Sequence, residues 1–120
     1  MKTLPVSAVV PTKDRSEVFR RTLASLERQK VFPAELIVVD ASAGPETREL
    51  LREFGIRAPD NCMVRWIPAT TCGAAVQRNQ GVEASTQPVV WFFDDDIHFE
   101  VDCVARLWTA LQSDGRLGGV

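Results

Sequence analysis

Three adjacent aspartates, Asp94, Asp95 and Asp96, follow directly on the apolar run Val89-Val90-Trp91-Phe92-Phe93. Carboxylates crowded at the mouth of a buried strand repel one another. Two charges ~5 Å apart at an effective dielectric of ~20 cost about 3 kcal/mol. A hard divalent cation relieves that repulsion, and carboxylate oxygens suit Mg²⁺ or Mn²⁺. In extended backbone Asp94 and Asp96 point to one face and Asp95 to the other. The D-x-D spacing therefore offers two carboxylates to one ligand assembly, and we read the run as a metal or ligand site. Two further apolar runs also end in acids: Pro11-Thr12-Lys13-Asp14-Arg15 closes the first, and Asp40-Ala41-Ser42 closes the second. Taken alone, Asp14 reads as a turn or helix-cap residue and Asp40 as a turn residue. His98, two residues beyond the acidic run, reads as an exposed loop histidine.

The elements that hold these residues alternate in kind. Pro5–Pro11, Glu35–Asp40, Cys62–Ile67 and Pro88–Phe93 are short and rich in β-branched or aromatic residues, which predicts strands. Ser16–Gln29 carries Phe19, Leu23 and Leu26 on one face of a helix. Pro45–Phe54 reads as a short helix with Pro45 at its start and Gly55 at its end. Thr71–Ser85 reads as a helix containing Ala74, Ala75, Val76 and Val82, although Gly81 inside it weakens helical propensity. Glu100–Gln112 places Val101, Val104, Leu107, Trp108 and Leu111 on one face. Asp114-Gly115 predicts a turn, and Leu117–Val120 the beginning of another strand. Trp66, Trp91 and Trp108 read as core, and Arg20, Arg21, Arg48 and Arg52 as solvated helix charges. Strict strand–helix alternation predicts a Rossmann-like, three-layer α/β/α sandwich around a mostly parallel sheet. Right-handed crossovers then bring every strand end to one rim, where the acids lie.

Composition narrows the classes. The 120 residues amount to one domain or less; 45% are hydrophobic and 25% charged, which excludes a disordered chain. A net charge of −2 speaks against general nucleic-acid binding. Arginine still outnumbers lysine, 11 to 3, which leaves room for a local anion site. No apolar run approaches the ~20 residues of a membrane span, and Met1-Lys2-Thr3-Leu4-Pro5 lacks a signal-peptide core. Cys62, Cys72 and Cys103 form no metal or disulfide spacing, so the expected setting is cytoplasmic, with reduced thiols.

Four segments carry a resemblance. Val9-Val10-Pro11-Thr12-Lys13-Asp14-Arg15 resembles the first-strand motif of family 2 glycosyltransferases of the GT-A fold. Leu36-Ile37-Val38-Val39-Asp40-Ala41-Ser42 resembles their second-strand motif. The stretch from Gly73 to Gly81, with Arg78-Asn79 inside it, resembles their Gly…Arg-Asn-x-Gly helix, and Phe92-Phe93-Asp94-Asp95-Asp96 their D-x-D motif. The four occur in the family's order and cover nearly the whole chain.

The resemblance implies an inverting, metal-dependent transfer of sugar from a nucleotide-diphospho-sugar, UDP-linked by expectation, to an acceptor hydroxyl. It implies that Pro11, Thr12 and Arg15 line the nucleoside pocket and that Asp40 accepts a hydrogen bond from the base. Arg78 would lie near the base or diphosphate. Asp94, with Asp95 beside it, would contact the ribose or sugar, and Asp96 would ligate Mn²⁺ or Mg²⁺. Asp40-Ala41 departs from the family's usual acid pair. The acceptor-activating base is expected beyond Val120, so the chain reads as the donor-binding part of a single domain, residues 1–120, incomplete at its C-terminus. An incomplete sheet edge of that kind would favour self-association. The competing readings are a non-catalytic sugar-nucleotide-binding module and a phosphorylation-dependent receiver module. The receiver reading lacks an acid after the third strand, which ends in Ile67-Pro68. A nucleotidyltransferase would need a glycine-rich loop after the first strand, where Pro11-Thr12-Lys13-Asp14-Arg15 stands.

Overall fold

The computed structural model describes residues 2–113; the turn expected at Asp114-Gly115 and the strand expected at Leu117–Val120 lie outside them. Strands and helices alternate as β1 (Lys2–Thr12), α1 (Ser16–Glu27), β2 (Val31–Asp40), α2 (Glu46–Arg57), β3 (Met63–Pro68), α3 (Ala74–Ala84), β4 (Val89–Phe92) and α4 (Cys103–Ser113). The four strands form one parallel sheet in the order β3-β2-β1-β4. The order reverses between β1 and β4, so their carboxyl ends splay apart and open a crevice there.

The two faces are covered unequally. Ala8, Val10, Leu36 and Val38 point into a large core with Phe19, Leu23, Leu51, Phe54 and Val104 from α1, α2 and α4. Val9, Ile37 and Val39 point the other way, toward Ala84 of α3. These alternating sets are the period-2 pattern of strands buried on both sides. Trp91 and Trp108 join the large core, their rings 6.5 Å apart. Trp66 only half enters it: the guanidinium of Arg48 lies 4.3 Å from its ring centroid, so Arg48 is a stacking partner and not merely a solvated charge.

Helix α3 meets the sheet through small and polar residues. Gln77 and Gly81 are its buried positions, whereas Val76 and Val82, which the sequence offered as its apolar residues, are exposed. A Cβ on Gly81 would overlap the Cγ1 of Val9, so glycine at this position lets the helix backbone approach β1 closely.

Several boundaries differ from the sequence expectation. Strands β1 and β2 begin earlier, because Lys2–Leu4 pairs with Val31–Pro33 ahead of the apolar runs. The register then shifts where Pro5 and Val6 oppose the single residue Ala34, a place where the missing proline N–H costs no ladder bond. Helix α2 runs through Gly55 and ends only at Arg57, capped by Ala58, whose extended backbone (φ −68°, ψ 155°) suits the residue before Pro59. Helix α3 starts at Ala74, not Thr71, because Gly73 at φ 147° holds a conformation closed to side-chain-bearing residues.

Candidate functional site

The crevice between β1 and β4 is a cleft of about 380 Å³. Pro11, Thr12, Lys13 and Arg15 come from the β1–α1 connection, Gly73, Gln77 and Arg78 from the start of α3, and Asp94, Asp95 and Asp96 from the turn after β4. Seven of the eight residues singled out from the sequence therefore meet in one cleft: Pro11, Thr12, Arg15, Arg78, Asp94, Asp95 and Asp96.

The acidic run divides into one buried and two open carboxylates, in a turn and not in the extended backbone expected, since β4 ends at Phe92. Asp95 is buried, at 5% exposure, while the side chains of Asp94 and Asp96 are 63% and 48% exposed. Asp95 is held by the protein through both carboxylate oxygens and its backbone carbonyl. Its Oδ2 accepts the Thr12 hydroxyl at 2.8 Å, its Oδ1 faces Arg15 Nη1 at 3.0 Å, and its backbone carbonyl accepts the Thr22 hydroxyl at 2.8 Å. These bonds tie the end of β1 and the start of α1 to the turn after β4. Arg15 divides its fork, with Nη2 3.4 Å from Asp96 Oδ2. Arg78 Nη2 lies 3.1 Å from Asp94 Oδ1.

The eighth residue, Asp40, is placed differently. It is buried at the end of β2 and is not among the residues lining the cleft. Its Oδ1 accepts the Ser42 N–H at 2.9 Å and its Oδ2 the Trp66 indole N–H at 2.9 Å. A carboxylate offers about four acceptor positions, so two remain for another donor. Asp14 proves to be a tie between loops. It sits at φ 51°, a left-handed conformation that Asp tolerates; its N–H donates to Ser42 Oγ at 2.7 Å and its Oδ1 accepts the Ala43 N–H at 3.0 Å. His98 is exposed, as expected.

Two cleft residues were not anticipated. Gln77 is a buried amide beneath the cleft floor. Its Nε2 donates to the carbonyls of Val39 at 2.8 Å and Thr12 at 3.1 Å, and its Oε1 accepts the Gly73 N–H at 3.0 Å. One side chain thus joins the ends of β1 and β2 to the start of α3. The only sequence signal was a polar residue at a sheet-facing helical position. Cys72 is exposed on the cleft rim, whereas Cys62 is buried away from it, its thiol pushed up to about 11 by desolvation.

Among the described residues no group of three or more His, Cys, Asp or Glu side chains converges as a metal cage. The cleft offers two open carboxylates, Asp94 and Asp96. That donor set fits Mg²⁺ or Mn²⁺, which keep waters and complete their shells with substrate phosphates. The amino-terminal end of α3 also faces the cleft and adds positive potential for an anion.

A parallel sheet with acids at its switch point is shared by several enzyme classes, and comparison with known proteins separates them. The family model of glycosyl transferase family 2 matches residues 7–119. The chain belongs to that family. It is 28% identical over 94 residues to YibD of Escherichia coli (strain K12), an uncharacterized glycosyltransferase, covering 78% of this chain and 26% of YibD. The mannosyltransferase PcManGT of Pyrobaculum calidifontis, solved with GDP-Man and Mn²⁺, superposes with a TM-score of 0.81 at 22% identity, over 98% of this chain and 35% of that one. Glucosyl-3-phosphoglycerate synthase of Mycobacterium tuberculosis, solved with Mn²⁺, UDP and glucosyl-3-phosphoglycerate, gives 0.68 at 20% identity, over 92% and 39%. At such identities the solved structures establish the fold, a Rossmann-like α/β arrangement of the GT-A type. This glycosyl transferase family 2 chain spans about a quarter of the length of its E. coli relative. No helix among its described residues is long and apolar enough to cross a membrane.

Proposed function

We propose that the cleft between β1 and β4 binds a nucleotide-diphospho-sugar, and that the chain is the donor-binding part of an inverting glycosyltransferase acting on an acceptor hydroxyl. The observation that carries this reading is the pairing of two open carboxylates, Asp94 and Asp96, with two guanidiniums, Arg78 and Arg15, at the switch point of a glycosyl transferase family 2 sheet. Asp96 is the carboxylate for a divalent cation, Mn²⁺ or Mg²⁺, and Asp94 is placed for the ribose or sugar. Such a cation, when bound, neutralises the departing diphosphate. Pro11, Thr12 and Arg15 form the nucleoside side of the cleft, and the buried Asp95 keeps Thr12 and Arg15 in place. Asp40 would reach the base through its two remaining acceptor positions, and uracil is the base we favour.

Activation of the acceptor hydroxyl needs a general base within hydrogen-bond reach. We place that base outside residues 1–120. The short coverage of YibD supports this division, since most of that protein has no counterpart here. The unpaired state of Cys62, Cys72 and Cys103 supports a cytoplasmic setting. Phe92, half exposed on β4, the outer strand among the described residues, supports self-association of the isolated chain.

Calorimetry with UDP and with GDP, each in Mn²⁺ and in EDTA, tests the reading. Binding should be tighter with Mn²⁺, and UDP should bind more tightly than GDP. Equal affinity in metal and chelator removes the cation from the proposal, and absence of any nucleotide binding removes the donor.

A further inference from the structure

The charges lining the cleft are balanced in number. Among its lining residues the carboxylates Asp94, Asp95 and Asp96 are matched one for one by the cations Lys13, Arg15 and Arg78. Both carboxylates open to the cleft already have a guanidinium within ion-pair distance.

Building on the donor-binding reading, we propose that Arg15 stands in for the divalent cation on Asp96 while Arg78 neutralises the neighbouring Asp94, and that both guanidiniums pass to the donor's diphosphate when the cation arrives. Cation and diphosphate then bind as a coupled pair.

Three observations carry the inference. The first is charge. A divalent cation alone would leave the balanced cleft with two surplus positive charges, and a diphosphate diester alone would leave two surplus negative ones. Together they restore balance, so each raises the affinity for the other by the same factor. The second is the chemistry of the displaced groups. A guanidinium released from a carboxylate keeps its planar fork, which matches phosphate oxygens equally well. The third is the asymmetry at Arg15. Its bond to the buried Asp95 is 3.0 Å, against 3.4 Å to the half-exposed Asp96. Nη2 can leave Asp96 while Nη1 stays on Asp95, so Arg15 pivots about an anchor and need not be re-ordered from solvent. Arg78 has a single, exposed carboxylate partner on the cleft side and releases it whole.

Electron paramagnetic resonance of free Mn²⁺ reads the coupling without any transfer assay. The chain is titrated with Mn²⁺ alone and with Mn²⁺ plus UDP, as wild type, Arg15→Gln, Arg78→Gln and the double variant, and every UDP series is read against the same Mn²⁺ and UDP without protein, because UDP itself chelates Mn²⁺. Wild type should bind Mn²⁺ weakly alone and much more tightly with UDP. Each Arg→Gln change should strengthen binding of Mn²⁺ alone by up to about fivefold, the upper end of what an exposed ion pair is worth, and should weaken the response to UDP. Arg78→Lys keeps the charge and loses the fork, so its Mn²⁺-alone affinity should stay near wild type; this variant serves even where a glutamine variant folds poorly. If UDP strengthens Mn²⁺ binding in wild type but the glutamine variants bind Mn²⁺ alone no better, the stand-in role is overturned and the donor site survives. If UDP leaves wild-type Mn²⁺ binding unchanged, the donor reading itself fails and the inference falls with it.

Discussion

The Thr12 hydroxyl donates to the carboxylate of Asp95 across 2.8 Å, joining the last residue of β1 to the turn that follows β4. Neighbouring strands part at a switch point, so some bond must hold the parted ends at a fixed separation. Asp95 does this with both carboxylate oxygens and its carbonyl, and it is the buried member of an otherwise open acidic run. These bonds make Asp95 a brace across the cleft it lines.

Asp95→Asn should keep the volume but weaken both carboxylate bonds. Removing a charged hydrogen-bond partner from a buried group costs about 1–3 kcal/mol. Thermal melting should show that loss, and nucleotide affinity should fall together with Mn²⁺ affinity. Thr12→Val should act in the same direction but less. If Asp95→Asn lowers nucleotide affinity with no change in melting, Asp95 contacts the ligand directly.

Gly81→Ala tests the approach of α3 to β1. On an exposed helix this change would stabilise by about 1 kcal/mol. Here the added methyl meets the Cγ1 of Val9, a fully buried β-branched side chain with little rotameric freedom. Overpacking of that kind costs about 1–3 kcal/mol, so the net change should be a lower melting temperature. Since α3 also carries Gln77 and Arg78, nucleotide affinity should fall as the helix is pushed outward. An unchanged or raised melting temperature would show that the helix seats more loosely than the structure has it.

Glu35 should shape the acid limb of stability. It is a fully buried carboxylate in the middle of β2, opposite Ser7 of β1 and away from the cleft. Burial pushes its pKa upward, but bonds from Ser7, the Thr86 backbone N–H, Arg65 and the Thr86 hydroxyl together outweigh burial and hold it below its ordinary 4.5. A carboxyl with a lowered folded pKa binds fewer protons folded than unfolded. Its stabilisation is therefore complete above the ordinary value and fades as the pH falls through the folded one. Melting temperature should drop from about pH 4.5 downward. Glu35→Gln should melt lower at neutral pH, because Arg65 loses its 3.0 Å partner, and should show a shallower acid limb. An acid limb as steep as that of wild type would assign the transition to other carboxylates.

Much of this arrangement was legible in the sequence, because the strands are buried on both faces and end in polar residues. The run from Leu36 to Asp40 and the run from Val89 to Asp94 each fix a strand and its functional end. The split of the acidic run was expected from an extended backbone, but β4 ends at Phe92 and Asp95-Asp96 form a turn; Asp95 is buried by its bonds to Thr12, Arg15 and Thr22. What escaped was polar burial. Gln77 and Glu35 are solvated residues by composition, and only the carbonyls and hydroxyls around them, brought from distant segments, make their burial favourable. Helix α3 misled for a related reason: close approach to β1 demanded Gly81, so its valines carry no packing signal. The orientation of Asp40 depended on Trp66, a residue 26 positions away that supplies an indole N–H.

That placement bears on the last prediction, which separates Asp40 from Asp96. If Asp40 recognises the base, removing its charge should weaken nucleotide binding while the dependence on Mn²⁺ persists. Asp40→Ala is a poor probe, because it also strands the Trp66 indole and the Ser42 N–H. Asp40→Asn keeps an acceptor oxygen for one of them and is the better choice. Loss of one charged hydrogen bond should cost about 1.5–3 kcal/mol of nucleotide affinity. Among the described residues Asp96 has a side-chain partner only in Arg15, at 3.4 Å, and its side chain is half exposed. Asp96→Ala should therefore leave melting nearly unchanged and remove most of the difference between Mn²⁺ and EDTA. Calorimetry on both variants, read beside their melting curves, decides the matter. Should Asp40→Asn lower melting without touching nucleotide affinity, Asp40 is a brace between β2 and β3, and recognition of the base falls to Pro11, Thr12 and Arg15. Should the two variants lose nucleotide affinity and metal dependence alike, the division of labour between them is wrong.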